Sequence, residues 1–102
     1  MQIVKSVAGV PVRLTLERTG HIERRHPEMV GEGEKILETL SPDYVQEGDS
    51  GTLIAVRHYP KTPLTEKYCC AVYREISEED GFILTAYFAT RPADWRNLVW
   101  KR

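Results

Sequence analysis

The sequence has few long apolar runs, almost no net charge and no metal-ligand spacing, and each shortage removes a class of protein. Its apolar runs, such as Leu53–Val56, fall far below the roughly 20 residues of a membrane-crossing helix, so no membrane partner is expected. The opening MQIVKSVAGV is too polar for a signal-peptide core, which predicts a cytoplasmic location. Lys and Arg number 14 against 15 Asp and Glu. Such a balance weakens the case for strong, nonspecific nucleic-acid binding, because that binding scales with the phosphates neutralised. The two cysteines, Cys69 and Cys70, are adjacent. Neighbours on a strand point to opposite faces, so a disulfide between them would be strained and both read as buried thiols. There is no Cys-x-x-Cys and no His-Glu-x-x-His, so neither a metal nor another cofactor is expected. A phosphate-cradling glycine loop, a dinucleotide fingerprint and a nucleophile elbow are missing too.

What is present is an ordinary globular composition, 41% hydrophobic and 28% charged, in 102 residues. That suits a single domain spanning 1–102. Charge is unevenly distributed. Seven acidic residues and one lysine lie between Glu28 and Asp49, whereas Arg13–Arg25 holds four arginines and two glutamates. Glu32, Glu34 and Glu38 are expected on a helix face turned away from the sheet.

Ile3–Val7 and Val10–Leu14 read as two short strands turning at Ala8-Gly9. Thr15 suits the N-cap of a helix over 16–26, which Pro27 ends or kinks. A second helix is expected over Glu34–Leu40, stopped by Ser41-Pro42-Asp43. Strands follow at Tyr44–Glu47, Thr52–Tyr59, Glu66–Glu75 and Gly81–Thr90, with a loop at Pro60–Thr65 and a short edge strand near Leu98-Val99-Trp100. The order predicts an α+β layer pair, with two N-terminal helices on one face of a four-stranded antiparallel meander.

His21, Arg25 and Arg18 fall within roughly 60° on the first helix, beside the core anchor Ile22. Imidazole beside guanidinium suits proton transfer at a held phosphate; a solvated helix face is the competing reading. His26 lies about 140° from His21, so the two cannot share a metal. On the strands, alternation puts Leu53, Ala55, Arg57 and Tyr59 on one face of their strand, Tyr68, Cys70, Val72 and Arg74 on one face of the next, and Ile83, Thr85, Tyr87 and Ala89 on one face of the last long one. Arginines inside apolar β-runs are costly unless paired, which singles out Arg57 and Arg74. Their strands are expected to be neighbours, with the shared face left to the register.

The segments H-I-E-R-R-H-P-E-M (His21–Met29), T-L-S-P-D (Thr39–Asp43), V-R-H-Y (Val56–Tyr59), K-Y-C-C-A-V-Y-R-E (Lys67–Glu75), G-F-I-L-T-A-Y-F (Gly81–Phe88) and the closing V-W-K-R resemble small prokaryotic and phage-associated proteins. Those proteins belong to the barnase–EndoU–colicin–RelE-like (BECR fold) nuclease superfamily. The resemblance covers roughly residues 12–102. It implies a helix pair on a four-stranded antiparallel sheet and an active site on the exposed sheet face. It also implies metal-independent RNA cleavage through attack of the ribose 2′-hydroxyl on phosphate, often as a toxin with a protein antitoxin. Carried over by position, His21 is the first choice of general base and His26 the second. Arg57 and Arg74 stabilise the transition state, Thr85 donates to phosphate, and Arg25, Tyr59 and Tyr87 bind substrate. A noncatalytic module binding RNA or a protein through the same face is the alternative reading. Metal independence has a direct check: EDTA should leave RNA cleavage by the purified protein unchanged, and loss in EDTA with rescue by Mg²⁺ would reject it.

Overall fold

A computed structural model describes residues 1–60 and 67–102. The loop expected at Pro60–Thr65, beyond Pro60 itself, and the start of a strand at Glu66 lie outside the described residues. The chain begins with a hairpin, β1 (Gln2–Lys5) and β2 (Pro11–Leu14). Gly9 takes φ +81° in its turn, and Ser6 N–H donates to the Val10 carbonyl at 2.9 Å. Helix α1 (Leu16–Arg25) starts where Thr15 Oγ1 accepts from the Arg18 amide at 3.0 Å. It stops at Pro27, whose ring cannot continue the ladder, and a single 3₁₀ turn, Pro27–Met29, carries Met29 into the core. Helix α2 (Gly33–Glu38) is only six residues long.

Five strands complete the sheet: β3 (Tyr44–Glu47), β4 (Leu53–Tyr59), β5 (Lys67–Ser77), β6 (Asp80–Ala89) and β7 (Leu98–Lys101). Their order is β1-β2-β6-β5-β4-β3-β7. Every neighbouring pair is antiparallel except β2–β6, where Val12 and Arg13 run parallel to Gly81 and Phe82. The expected four-stranded antiparallel meander is therefore corrected: the sheet has seven strands and is mixed. A meander ending at β3 and β6 would present two rows of unpaired backbone groups. The N-terminal hairpin pairs with the start of β6, and β7 pairs with β3.

Both helices pack on one sheet face. Ile22, Met29, Ile36 and Leu40 meet Val12, Ala55, Cys69, Ala71, Tyr73, Ile83 and Ala86 in the main core. The opposite face carries a smaller cluster of Ile54, Val56 and Cys70, flanked by half-buried Tyr44, Tyr68, Val72, Tyr87 and Ala89. Among the described residues no helix is long and apolar enough to cross a membrane.

Alternation holds along β4 and along β5 as far as Glu75, but not along β6. Val72 stands opposite Thr85, whereas the next residue, Tyr73, stands opposite Ile83. Leu84 is therefore the extra residue of a β-bulge. The face shared by Ile83, Thr85, Tyr87 and Ala89 is corrected accordingly: Ile83 enters the main core, and Thr85, Tyr87 and Ala89 turn to the opposite face.

Two glycines give opposite expectations. A Cβ on Gly81 would lie 2.7 Å from the Arg74 carbonyl oxygen, at the point where β2 meets β6. Gly81→Ala should cost about 1–3 kcal/mol in urea unfolding, because backbone must shift. A Cβ on Gly20, inside α1, meets only Arg24 Nη1 at 3.5 Å, so Gly20→Ala should be neutral or stabilise by up to about 1 kcal/mol. Equal effects at the two positions would contradict the parallel junction.

Candidate functional site

The face away from the helices brings aromatic and hydroxyl side chains together through register. Tyr44 is opposite Val56, Val56 opposite Cys70, and Cys70 opposite Tyr87. Directly opposed residues share a face, so one cross-strand row runs Tyr44–Val56–Cys70–Tyr87. Beside it the His58 and Tyr68 rings stack at 4.7 Å, and Thr85 opposes Val72. The chain after β6 reaches over one margin, where Gln46 Nε2 donates to the Ala93 carbonyl at 2.7 Å.

At the other margin β2 pairs only with the start of β6, and the 3₁₀ turn lies against the rest of that strand. This puts the His26 ring 5.7 Å from the Tyr87 ring, with Glu28 Oε2 3.8 Å from His26 Nδ1. That separation from Glu28 is longer than a hydrogen bond, so the carboxylate acts on the imidazole through its charge alone. Burial raises the Tyr87 hydroxyl pKa, the Cys70 thiol adds to the shift, and Arg96 opposes it. At neutral pH that phenol is a hydrogen-bond donor and not a base. Carboxylate, imidazole and phenol in sequence can hold a phosphate oxygen and move one proton.

The other expected site residues are dispersed. Arg57 opposes Cys69, and Arg74 lies five residues further along β5, so their side chains point to opposite faces. Arg57 is on the helix face, where its Nη1 donates to the Glu38 and Ser41 carbonyls at 3.2 and 3.0 Å. It closes the C-terminal end of α2, a place that favours a cation. Tyr59 is beside it, its hydroxyl donating to Glu38 Oε1 at 2.7 Å. Glu38 thus turns toward Arg57 and Tyr59, contrary to the outward orientation expected for it, while Glu32 pairs with Lys35 at 3.0 Å. Arg74 shares the aromatic face with Thr85 and Tyr87, but its Nη2 donates to the Ser50 carbonyl at 2.7 Å. His21 stands apart from His26, on α1 beside Arg18 and Arg24. Arg25 is exposed.

Glu28, Tyr44 and Arg96 belong to the site without having been expected there. Glu28 sits two residues from His26, close enough to have been weighed as its partner. Tyr44 and Arg96 are brought in by strand pairing and by the segment after β6, which local pattern does not encode. Among the described residues no group of three or more His, Cys, Asp or Glu side chains is placed to hold a metal ion. Compared with known proteins, the chain matches no family model, no curated protein and no solved structure.

The two thiols make this region sensitive to alkali. Burial pushes Cys69 up to about 11 and Cys70 up to about 12, from an ordinary value near 9.0. The unfolded chain therefore loses these protons first, so stability falls as pH rises above about 9 toward 12. The thermal midpoint should drop across that window, and less steeply in Cys70→Ala. A midpoint unchanged up to pH 11 would contradict the burial of these groups.

Proposed function

We propose that the chain acts on RNA at the aromatic sheet face, as a metal-independent endoribonuclease with His26 as its proton-transfer group. The observation that carries this reading is the grouping of Glu28, His26 and Tyr87 at the margin of that face. His26 takes the proton of a ribose 2′-hydroxyl, and the freed oxygen attacks the adjacent phosphorus. The 5′-oxygen leaves with a proton returned to it, and a 2′,3′-cyclic phosphate remains. The Tyr87 and Thr85 hydroxyls donate to the non-bridging oxygens, where charge grows in the transition state. Tyr44 and Tyr68 offer rings on which unstacked bases can lie, a common way of holding single-stranded RNA. Exposed Arg25, next to His26 in the chain, replaces Arg57 as the cation of the site. Under the resemblance to RelE-like toxins, a protein antitoxin is the natural partner.

A second reading, a noncatalytic RNA-binding module, is favoured by the engagement of Arg57 and Arg74 with backbone carbonyls on opposite faces. One experiment separates the two. Purified protein is incubated with mixed RNA in EDTA, beside His26→Gln and Tyr87→Phe. The nuclease reading expects cleavage to cyclic-phosphate ends, slowed about 10²-fold or more in His26→Gln. Binding without cleavage by the unaltered protein selects the module. Cleavage undiminished in His26→Gln removes His26 from the mechanism.

A further inference from the structure

Outside the His26 site, helix α1 carries three nitrogen-bearing side chains on one side of the molecule. Arg18, His21 and Arg24 recur at intervals of three, which keeps them on one helix face. Together with Thr15 and Glu17 they line a hollow of about 310 Å³. The Arg18, His21 and Arg24 side chains have no ion-pair or hydrogen-bond partner among the described residues. Glu17, the one carboxylate on that wall, makes no ion pair with them. This contrasts with Arg13, Arg57, Arg74 and Arg96, each of which is held by a carboxylate or a carbonyl. Gly20 contributes as well: with no side chain there, the Arg24 guanidinium folds back along the helix toward the preceding turn.

Beside this hollow lies a second one of about 200 Å³, lined by Arg13, Thr15, Arg18, Phe82 and Ile83. Thr15 and Arg18 belong to both. In the second hollow the Arg13 guanidinium lies 5.7 Å from the Phe82 ring centre, and Phe82 opposes Arg74 across the sheet. Arg18 thus joins the hollow of His21 and Arg24 to the one walled by the Phe82 ring. Two like charges along one hollow repel, and an anion between them removes that repulsion.

We propose that this hollow is a phosphate site in which Arg18, His21 and Arg24 hold one backbone phosphate of an RNA strand, with the adjoining base against Phe82. For the identity of the strand the inference rests on the RNA reading above; for the anion site it does not. Arg18 and Arg24 are positioned for charge-assisted hydrogen bonds, which are stronger than neutral ones, and His21 adds a further donor. The site lies outside the His26–Tyr87 grouping, so it serves affinity and the path of the strand and has no part in the chemical step.

The test has two arms on the full chain. In the first, inorganic phosphate is titrated at constant ionic strength while the Arg18 and Arg24 side-chain N–H and His21 ring resonances are followed by NMR. Saturable shifts of all three are expected, with the His21 shift lost in Arg18→Gln/Arg24→Gln; no shift, or a His21 shift unchanged in the double variant, overturns the site. In the second, a short single-stranded RNA is bound at several salt concentrations, with His26→Gln present throughout to prevent turnover. The double variant should bind about tenfold more weakly at low salt, with the log–log salt dependence shallower by about 0.7 for each phosphate it no longer neutralises. Its thermal midpoint should be unchanged, since the side chains removed hold nothing else. Equal affinity and equal slope would overturn the role in RNA binding. If the RNA does not bind at all, the RNA reading falls and the phosphate arm alone decides the site.

Discussion

Strand β5 is hydrogen-bonded on both sides, to β4 through seven residue pairs and to β6 through nine, so its alternation is imposed on three strands at once. Each side chain on these strands is assigned to the helix face or to the aromatic face by that one register. A slip of a single residue would exchange the two sets and place Tyr68 and Arg74 under the helices. The buried row Cys69, Ala71 and Tyr73 prevents it, because these are the β5 residues that fill the space beneath Ile22, Met29 and Ile36. The requirement for a dry interior on one side thereby determines which polar groups can meet on the other.

Much of the local structure is legible along the chain. Thr15 and Pro27 delimit α1, Gly9 turns the first hairpin, and β-prone residues mark the strands. What local pattern does not show is which strands find one another. The parallel junction of β2 with β6 joins residues about 70 positions apart, and its geometry rests on Gly81, which looks like any turn glycine in the sequence. The same limit applies to the site. His26 and Tyr87 are both recognisable as chemically able residues, yet their proximity depends on where the 3₁₀ turn lands against β6. Arg57 shows the converse. An arginine in an apolar strand suggests a ligand, and its partners are the carbonyls of Glu38, the last residue of a six-residue helix, and of Ser41 just beyond it. Such a short helix has a poor ladder of its own, and the guanidinium supplies a donor to its last carbonyl.

Net charge conceals a division of labour among the arginines. Arg13 and Arg96 pair with Asp80 and Asp49, and Arg57 and Arg74 are held by backbone carbonyls. Helix α1, by contrast, carries three arginines without such partners among the described residues, against the two carboxylates Glu17 and Glu23, a small positive excess that acts over about 10 Å at moderate salt. A small basic region of this kind orients a polyanion as it approaches without attracting every polyanion strongly.

The bulge at Leu84 carries a consequence for how this strand can change over time. Beyond position 84 the faces of β6 depend on the number of residues and not on their identity. Loss of Leu84 would remove the bulge and leave the faces as they are, with Ile83 inside and Thr85 and Tyr87 outside; strict alternation with Leu84 kept would send Thr85 and Tyr87 into the interior. Leu84 itself is half-exposed and pairs with nothing across β5. The position should thus accept many side chains and its own deletion, because the pairs on either side of it are already consecutive on β5.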